Sequence, residues 1–218
     1  MDRARRAGLK AKRDRSVLLA ETTVLKRTKI WEAGTPLRSK GYGDRLISRE
    51  FVMKPAIALV TGAGSGIGKA AALALAADGL KIGVLGHTLE DISSTVNEIQ
   101  EHGGEAVPLL ADIVDEAAMI AAVQQLVRQY GRLDVVVANA GINGVWAPID
   151  DLTLAEWNGT ISVNLTGTFL TIRTTVPELK RSGGGSIIVV SSINGTRTFT
   201  TPGATAYTAT KAGLSFGS

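Results

Sequence analysis

The chain has 218 residues and no cysteine, which excludes a disulfide-stabilised secreted module, a cysteine-based zinc finger and a cysteine nucleophile. Its hydrophobic fraction of 44% can furnish a substantial core, and its length suits one domain or one domain with an appendage. No apolar run approaches the roughly 18 residues that a membrane span requires, so we expect no membrane contact. The formal net charge is +4, but the charges are distributed unevenly along the chain.

Basic residues are concentrated in the first quarter of the chain. Residues 1–53 carry a net charge of +8, and the remaining residues carry a net charge of −4. Acidic side chains interrupt the basic segment, which argues against a nucleic-acid-binding arm and an organelle presequence, and the continuous apolar region of a secretory signal is missing. We therefore interpret residues 1–52 as a disordered or non-native leader and residues 53–218 as the folded domain. We expect a cytoplasmic protein that does not bind nucleic acid.

Beyond residue 53, short apolar runs alternate with helix-like segments. Strands that are apolar on both faces and alternate with helices predict an α/β fold, a single domain with a doubly wound parallel sheet of Rossmann type. Ligands of such sheets bind at the carboxyl ends of the strands. The predicted strands are residues 56–60, 81–85, 106–110, 133–137 and 186–190, and the predicted helices are residues 69–78, 90–101, 116–130 and 154–180.

A glycine-rich loop joins the first predicted strand to the first predicted helix, with the sequence Thr-Gly-Ala-Gly-Ser-Gly-Ile-Gly at residues 61–68. Glycines there let the backbone approach a pyrophosphate, and the following helix offers free N–H groups and a partial positive charge. A Walker-type phosphate loop is excluded, since it requires glycine in place of Ala63 and Ser or Thr in place of Ala70. The G-x-G-x-x-G pattern also fails, because Ile67 occupies the place of its last glycine.

The form Thr-Gly-x-x-x-Gly-Ile-Gly resembles the glycine motif of the short-chain dehydrogenase/reductase family, and the resemblance extends from about residue 53 to residue 213. It implies a Rossmann-type NAD(P)-dependent oxidoreductase that interconverts the carbonyl and the alcohol of a small-molecule substrate by hydride transfer. Further motifs follow in the family's order: Asp112-Ile113 after the third strand, Asn139-Ala140-Gly141 after the fourth, Asn164 in Val-Asn-Leu-Thr-Gly, Ser191-Ser192 after the fifth, and Tyr207-Thr-Ala-Thr-Lys211.

The resemblance implies catalytic roles for Asn164, Ser192, Tyr207 and Lys211. Tyr207 would be the general acid/base, and Lys211, four residues later on the same helix face, would favour its phenolate and hold the nicotinamide ribose. Ser192 would donate a hydrogen bond to the reacting oxygen, and Asn164 would position Lys211 through a water. Ser191 is the alternative serine, for which a bond to local backbone is expected. The interval of 15 residues from Ser192 to Tyr207 exceeds the family's commonest spacing, which keeps the choice of serine open.

By the same resemblance, the cofactor-binding residues come from the glycine-rich loop and from the ends of the strands. An acidic residue at the end of the second strand would bind the ribose hydroxyls of NAD and repel the 2′-phosphate of NADP. Because this strand runs into Gly86, His87 and Thr88, we favour NADP over NAD. The cofactor-binding residues assigned in this way are Gly62, Ser65, Gly66, Ile67, Gly68, His87, Asp112, Ile113, Asn139, Ala140, Gly141, Tyr207 and Lys211.

No metal site is predicted, because His87 and His102 are the only histidines and neither has a second ligand at useful spacing. Only seven residues follow Lys211, whereas members of the family continue with further strands and a substrate-binding segment. We therefore expect a chain that is incomplete at its C-terminus and lacks the family's last strands, cut from a homo-oligomeric parent protein. The alternative is a catalytically silent fragment, or a nucleotide-binding module with a basic partner-binding arm.

Overall fold

The computed structural model of the chain describes residues 56–196 and 203–215. The predicted leader, residues 1–52, lies outside the described residues, so its interpretation stays a prediction. Strands and helices alternate along the described part of the chain, as the apolar runs predict. The strands are β1 (Ile57–Thr61), β2 (Lys81–Gly86), β3 (Ala106–Leu110), β4 (Val135–Ala138) and β5 (Ser186–Val189), and the helices are α1 (Gly66–Ala77), α2 (Leu89–Glu101), α3 (Glu116–Tyr130), α4 (Leu154–Ile161), α5 (Gly167–Arg181) and α6 (Thr205–Ser215).

The five strands form one parallel sheet in the order β3-β2-β1-β4-β5. Strand β1 is central and pairs on one side with β2, where Ile57 lies opposite Lys81, and on the other with β4, where Ala58 lies opposite Val135. The strand order reverses between β1 and β4, which is the switch point where a doubly wound sheet opens a crevice for ligands. The predicted Rossmann-type sheet is confirmed.

The hydrophobic core lies on both faces of this sheet. Alternate residues of a strand point to opposite faces, so Ile57 and Leu59 pack against α3 and α5, while Ala58 and Val60 pack against α1 and α2. Both sets are buried, which explains why β1 carries four consecutive apolar residues rather than an apolar residue at every second position.

The predicted helix at residues 154–180 is interrupted. Helix α4 passes into a π-helical turn, Ser162–Thr166, and α5 begins only at Gly167. A Cβ atom at Gly167 would lie 2.5 Å from Ile113 Cδ1, so a larger residue would force Ile113 to move where the helix passes the loop after β3. The π-helical turn adds a residue to the helical repeat, a local change that the residue pattern of the sequence did not predict.

Two other element boundaries differ from the predictions by more than one residue. Helix α1 begins at Gly66 rather than at residue 69, because the glycine loop itself forms its first turn. Strand β4 begins at Val135 rather than at residue 133. The backbone N–H of Leu133 donates to Ser182 Oγ at 3.0 Å, and the carboxylate of Asp134 accepts a 2.9 Å hydrogen bond from the Ile57 N–H. A side-chain oxygen accepts each of these two bonds, and the backbone of Asp134 also binds the Ile57 carbonyl oxygen and the Ser186 N–H.

Candidate active site

The glycine-rich loop leaves β1 at Gly62 and enters α1 at Gly66. Gly62 and Gly66 have φ angles of +62° and +54°, a left-handed conformation that glycine adopts without strain. Gly68 is buried in the first turn of α1, where a Cβ atom would meet the Gly62 carbonyl oxygen and lie 2.5 Å from Asn139 Nδ2. Glycine at residue 68 therefore lets the loop backbone and the start of α1 pack together, with the free N–H groups of the helix at the carboxyl end of β1.

Thr61 joins the carboxyl ends of β1 and β4. Its Oγ1 accepts hydrogen bonds from the backbone N–H groups of Asn139 at 3.0 Å and Ala140 at 3.1 Å. In return, Asn139 Nδ2 donates to the carbonyl oxygens of Thr61 at 3.0 Å and Gly62 at 3.4 Å. These bonds hold the predicted Asn139-Ala140-Gly141 motif beside the glycine-rich loop, although 78 residues separate Thr61 from Asn139.

The ends of β2 and β3 contribute a histidine and a carboxylate. His87 follows β2 and is exposed. Asp112 follows β3 and is exposed, and its Oδ1 accepts a 3.1 Å hydrogen bond from the Val114 N–H. Ile113 is buried and packs in the core under this loop. The strand ends thus combine polar groups with an apolar floor, which suits the flat and polar parts of a nucleotide.

Asn164 lies in the π-helical turn and is fully buried. Its Oδ1 accepts a 2.7 Å hydrogen bond from the Ile142 N–H, and its Nδ2 donates to the Ile142 carbonyl oxygen at 2.8 Å. Nδ2 also donates to Thr210 Oγ1 at 3.2 Å. The side chain therefore binds the segment after β4 on one side and α6 on the other. Its predicted water-mediated contact with Lys211 stays a prediction.

Tyr207 and Lys211 lie one turn apart on α6. Lys211 Nζ is 5.7 Å from the centroid of the Tyr207 ring and donates a 2.8 Å hydrogen bond to the Val190 carbonyl oxygen. Lys211 is only 5% exposed, and this burial lowers the pKa of its ammonium group from the ordinary value of 10.5. The spacing of four residues has placed the phenol and the amine on one helix face, as predicted.

Ser191 and Ser192 follow β5 and have different contacts. Ser192 is buried, and its Oγ accepts a 3.3 Å hydrogen bond from the Asn194 N–H, so that its own proton is available for a ligand. Ser191 Oγ donates a 2.9 Å hydrogen bond to the Lys211 carbonyl oxygen, 20 residues further along the chain. This hydroxyl therefore reaches α6, and the expected bond of Ser191 to local backbone stays a prediction.

A cavity of about 530 Å³ lies at the carboxyl ends of the strands. Gly66, Gly68 and Asn164 do not line it. Gly68 packs against the lining residues Gly62 and Asn139, and Asn164 binds the lining residue Ile142. The predicted site residues that do line it are Gly62, Ser65, Ile67, His87, Asp112, Ile113, Asn139, Ala140, Gly141, Ser192, Tyr207 and Lys211.

Ser191, the alternative serine of the sequence analysis, also lines the cavity. The sequence did not assign seven further lining residues to the site: Leu85, Gly86, Ala111, Ile142, Asn143, Val163 and Val190. Most are neighbours of the motif residues at the strand ends, so their position could have been inferred from adjacency. Val163 lies in the π-helical turn, and Val190 contributes its carbonyl oxygen to Lys211; no sequence signal marks either role.

Within residues 56–196 and 203–215, no group of three or more histidine, aspartate or glutamate side chains could hold a metal ion. None of the helices in this same part of the chain is both long and apolar enough to cross a membrane.

Comparison with known proteins identifies the family. The model of the short chain dehydrogenase family matches residues 56–216 of the chain. The chain belongs to this family. A relative from Mycobacterium tuberculosis (strain H37Rv), an uncharacterized NAD-dependent oxidoreductase, is 40% identical over 172 residues, which cover 72% of this chain and 62% of the relative.

Two solved structures of similar proteins extend the comparison. The crystal structure of a 3-ketoacyl-ACP reductase from Sinorhizobium meliloti 1021 is 65% identical, with a TM-score of 0.71, and the match covers 72% of this chain and 62% of that one. Carveol dehydrogenase from Mycobacterium avium, in complex with NAD, is 30% identical with a TM-score of 0.70, over 74% of this chain and 62% of that one. The chain therefore spans about 62% of the length of these relatives.

The residues of this short-chain dehydrogenase fit a nicotinamide dinucleotide. A Cβ atom at Gly68 would fill the space between the glycine-rich loop and α1. Around this space, backbone N–H groups lie where they can donate hydrogen bonds to the oxygens of a pyrophosphate. The cavity continues from there to Asp112 on one side and to Tyr207 and Lys211 on the other. An elongated ligand can thus extend from the end of β3 to α6, with phosphates at the glycine-rich loop.

Proposed function

We propose that this short-chain dehydrogenase interconverts the carbonyl and the alcohol of a small substrate, using a nicotinamide dinucleotide. The observation that carries the proposal is the position of the buried Lys211 Nζ, 5.7 Å from the centroid of the Tyr207 ring, in a cavity that Ser192 and the glycine-rich loop also line. The names of two similar proteins, an NAD-dependent oxidoreductase and a 3-ketoacyl-ACP reductase, support the same reaction class.

In the direction of reduction, the side chains of α6 and of the segment after β5 supply the proton. The Tyr207 O–H donates its proton to the carbonyl oxygen, and Ser192 Oγ donates a second hydrogen bond to that oxygen as it gains negative charge. The Lys211 ammonium stabilises the phenolate that remains on Tyr207. When bound, the cofactor supplies the hydride that adds to the carbonyl carbon. In the direction of oxidation, the Tyr207 phenolate accepts the proton of the alcohol.

We further propose that the preferred cofactor is NADP(H). Asp112 is the only acidic residue among the described residues that line the cavity, and the end of β2 presents the exposed His87 instead of a carboxylate. A carboxylate at that place would repel a 2′-phosphate and bind the two ribose hydroxyls. The names of two relatives mention NAD, so a direct comparison of the two cofactors on this chain is required.

The cofactor proposal is tested by fluorescence titration of the chain with NADPH and with NADH. We expect tighter binding of NADPH, and we expect the variant His87→Asp to reverse this order because it places a carboxylate at the end of β2. His102→Asp is the matched control, since His102 is also an exposed histidine but lies at the end of α2, away from the cavity. Tighter binding of NADH by the unchanged chain would overturn the preference.

The reaction is tested by following nicotinamide absorbance with NADPH, with NADH and with a panel of cyclohexanone, an acetoacetyl thioester and a keto-steroid. We expect turnover with at least one of these carbonyls, and a decrease of about 10²–10⁴-fold in Tyr207→Phe, because its general acid is lost. Tyr130→Phe is the matched control, since Tyr130 is partly buried at the end of α3 and does not line the cavity.

Two outcomes contradict the proposed function. If the chain binds neither NADPH nor NADH, the proposed dehydrogenase reaction is contradicted. Cofactor binding without turnover of any carbonyl supports the alternative, in which this chain is a nucleotide-binding module without catalysis. A third outcome, equal turnover in Tyr207→Phe and in the unchanged chain, contradicts the assignment of Tyr207 as the acid/base.

We also propose that the protein assembles into a homo-oligomer. The apolar side chains of Ile120 on α3 and Phe169 on α5 are 42% and 57% exposed, and burial of such groups favours association. Light scattering of the purified chain over a range of concentrations tests this, and a constant monomer mass contradicts it. The cytoplasmic location stays a prediction from the sequence.

A further inference from the structure

Thr210 occupies a buried position on α6 between Tyr207 and Lys211. Its side chain has no solvent exposure. Thr210 Oγ1 donates a 2.7 Å hydrogen bond to the Tyr207 carbonyl oxygen, one helical turn earlier, and accepts a 3.2 Å hydrogen bond from Asn164 Nδ2. The hydroxyl thus uses both its proton and a lone pair, and it joins two parts of the chain that are 46 residues apart.

The bond from Thr210 to Asn164 continues to a third segment. Asn164 Oδ1 and Nδ2 bind both backbone groups of Ile142, which lines the cavity just after the Asn139-Ala140-Gly141 motif. At Gly141, the position of a Cβ atom would lie 3.1 Å from Asn164 Oδ1 and 3.6 Å from Lys211 Nζ. The segment after β4, the π-helical turn and α6 therefore meet beside the amine of Lys211.

The Thr210 side chain is well suited to this connection. A threonine in a helix can bond its hydroxyl to a carbonyl oxygen three or four residues earlier, and its branched Cβ restricts χ1. Here the bond to Tyr207 orients Oγ1 so that a lone pair faces Asn164. A valine has nearly the same shape but can neither donate nor accept, so it would leave the buried Asn164 N–H without this acceptor.

We propose that Thr210 is a positioning residue of the site, because its hydroxyl sets the distance and orientation of α6, with Tyr207 and Lys211, relative to the segment after β4. The inference rests on the proposed function of Tyr207 and Lys211. Thr210 does not line the cavity, so it acts through its neighbours rather than on the substrate. Catalysis is sensitive to such placement, since a misplacement of about 1 Å can cost about 10²-fold in rate.

The test compares Thr210→Val with Thr210→Ser in the full chain. We expect Thr210→Val to lower kcat about 10- to 100-fold with little change in KM, and to shift the inflection of the pH profile of kcat/KM, because the amine and the phenol are no longer held in register. Thr210→Ser retains the hydroxyl and should recover most of the rate and the original profile. A double variant with Asn164→Ala should lose no more than Asn164→Ala alone, since the two side chains share one hydrogen bond.

Thr175→Val is the matched control. Thr175 is also a fully buried threonine, but it lies on α5 and its Oγ1 donates to carbonyl oxygens of its own helix, at 2.7 Å for Thr171. This variant should lose some stability and keep the wild-type kcat and pH profile. If Thr210→Val and Thr175→Val lower kcat equally without moving the profile, or if Thr210→Ser does not recover the rate, the positioning role is overturned.

A measurement independent of activity separates this inference from the proposed function. Hydrogen exchange at the Ile142 amide, which donates to Asn164 Oδ1, should be faster in Thr210→Val than in Thr175→Val, because the Asn164 side chain has lost one of its anchors. Unchanged exchange at Ile142 overturns the link between Thr210 and this segment. If exchange changes as expected while Tyr207→Phe has no effect on turnover, the structural link stands and the proposed function of Tyr207 fails.

Discussion

Lys211 Nζ donates a 2.8 Å hydrogen bond to the carbonyl oxygen of Val190. This bond crosses from α6 to the residue that follows β5, two residues before Ser192. The bond therefore locates the amine of Lys211 relative to the same backbone that carries the serine. Burial lowers the pKa of this amine, while the carbonyl oxygen accepts a hydrogen bond from it and so favours its charged form.

Removal of the Lys211 amine should reduce both cofactor affinity and turnover. Lys211→Met retains an unbranched, apolar side chain that suits the buried site, so the fold should persist. We expect weaker NADPH binding by titration and a large decrease in kcat/KM, because the phenolate of Tyr207 loses its positive neighbour. Lys69→Met is the control, since Lys69 forms a surface ion pair with Glu98 at 2.7 Å and does not line the cavity.

The lowered pKa of Lys211 also predicts a pH dependence of stability. Between that lowered value and the ordinary value of 10.5, the unfolded chain binds more protons at this residue than the folded chain does. The free energy of unfolding contributed by Lys211 should therefore rise with pH in this window. Urea unfolding of the wild type and of Lys211→Met at stepwise pH measures the difference. A difference that stays constant or falls as the pH approaches 10.5 contradicts burial as the dominant effect.

Loss of the Thr61 hydroxyl should loosen the junction between β1 and β4. Thr61→Val leaves the backbone N–H groups of Asn139 and Ala140 without the acceptor they share, and we expect the free energy of unfolding to fall by about 1–3 kcal/mol. Thr61→Ser retains Oγ1 and should lose less. Chemical denaturation compares the two variants, and a loss in Thr61→Val no larger than the loss in Thr61→Ser would contradict the role of the hydroxyl.

Two glycines should respond in opposite ways to substitution by alanine. Gly68→Ala introduces a Cβ atom against the Gly62 carbonyl oxygen and Asn139, and we expect a loss of about 1–3 kcal/mol in stability together with weaker NADPH binding. Gly159 lies in α4 with no atom near the place of its Cβ, so Gly159→Ala should stabilise the protein by about 0.5–1 kcal/mol. Thermal and urea unfolding measure both, and destabilisation by Gly159→Ala would contradict the open space beside α4.

The two serines after β5 should separate in their effects on catalysis and on stability. Ser192→Ala removes the proposed donor to the reacting oxygen, and we expect kcat to fall about 10²-fold with little change in stability. Ser191→Ala removes the hydrogen bond to the Lys211 carbonyl oxygen and should cost about 1 kcal/mol in stability with a smaller loss of kcat. Steady-state kinetics and urea unfolding of both variants decide the matter. A larger loss of kcat in Ser191→Ala than in Ser192→Ala would contradict this assignment and make Ser191 the donor to the reacting oxygen.

Most of the candidate site could be predicted because its residues follow strand ends. Once parallel strands alternate with helices, their carboxyl ends must meet at one edge of the sheet, and the residues that follow β1, β4 and β5 converge there. Tyr207 and Lys211 could be paired because an interval of four residues gives one helix face. The glycine-rich loop was recognisable because its glycines serve backbone geometry within a few residues.

By itself, the amino-acid sequence determined the type and order of the elements, since hydrophobic periodicity and glycine positions act over short distances. Only the tertiary structure decided which groups anchor the site: Thr61 for Asn139, Val190 for Lys211, and Thr210 for Asn164. It also decided that α4 passes into a π-helical turn around Asn164 before α5 begins. These features depend on hydrogen bonds between residues 21 to 78 positions apart, and a local pattern carries no information about which distant donor meets which acceptor.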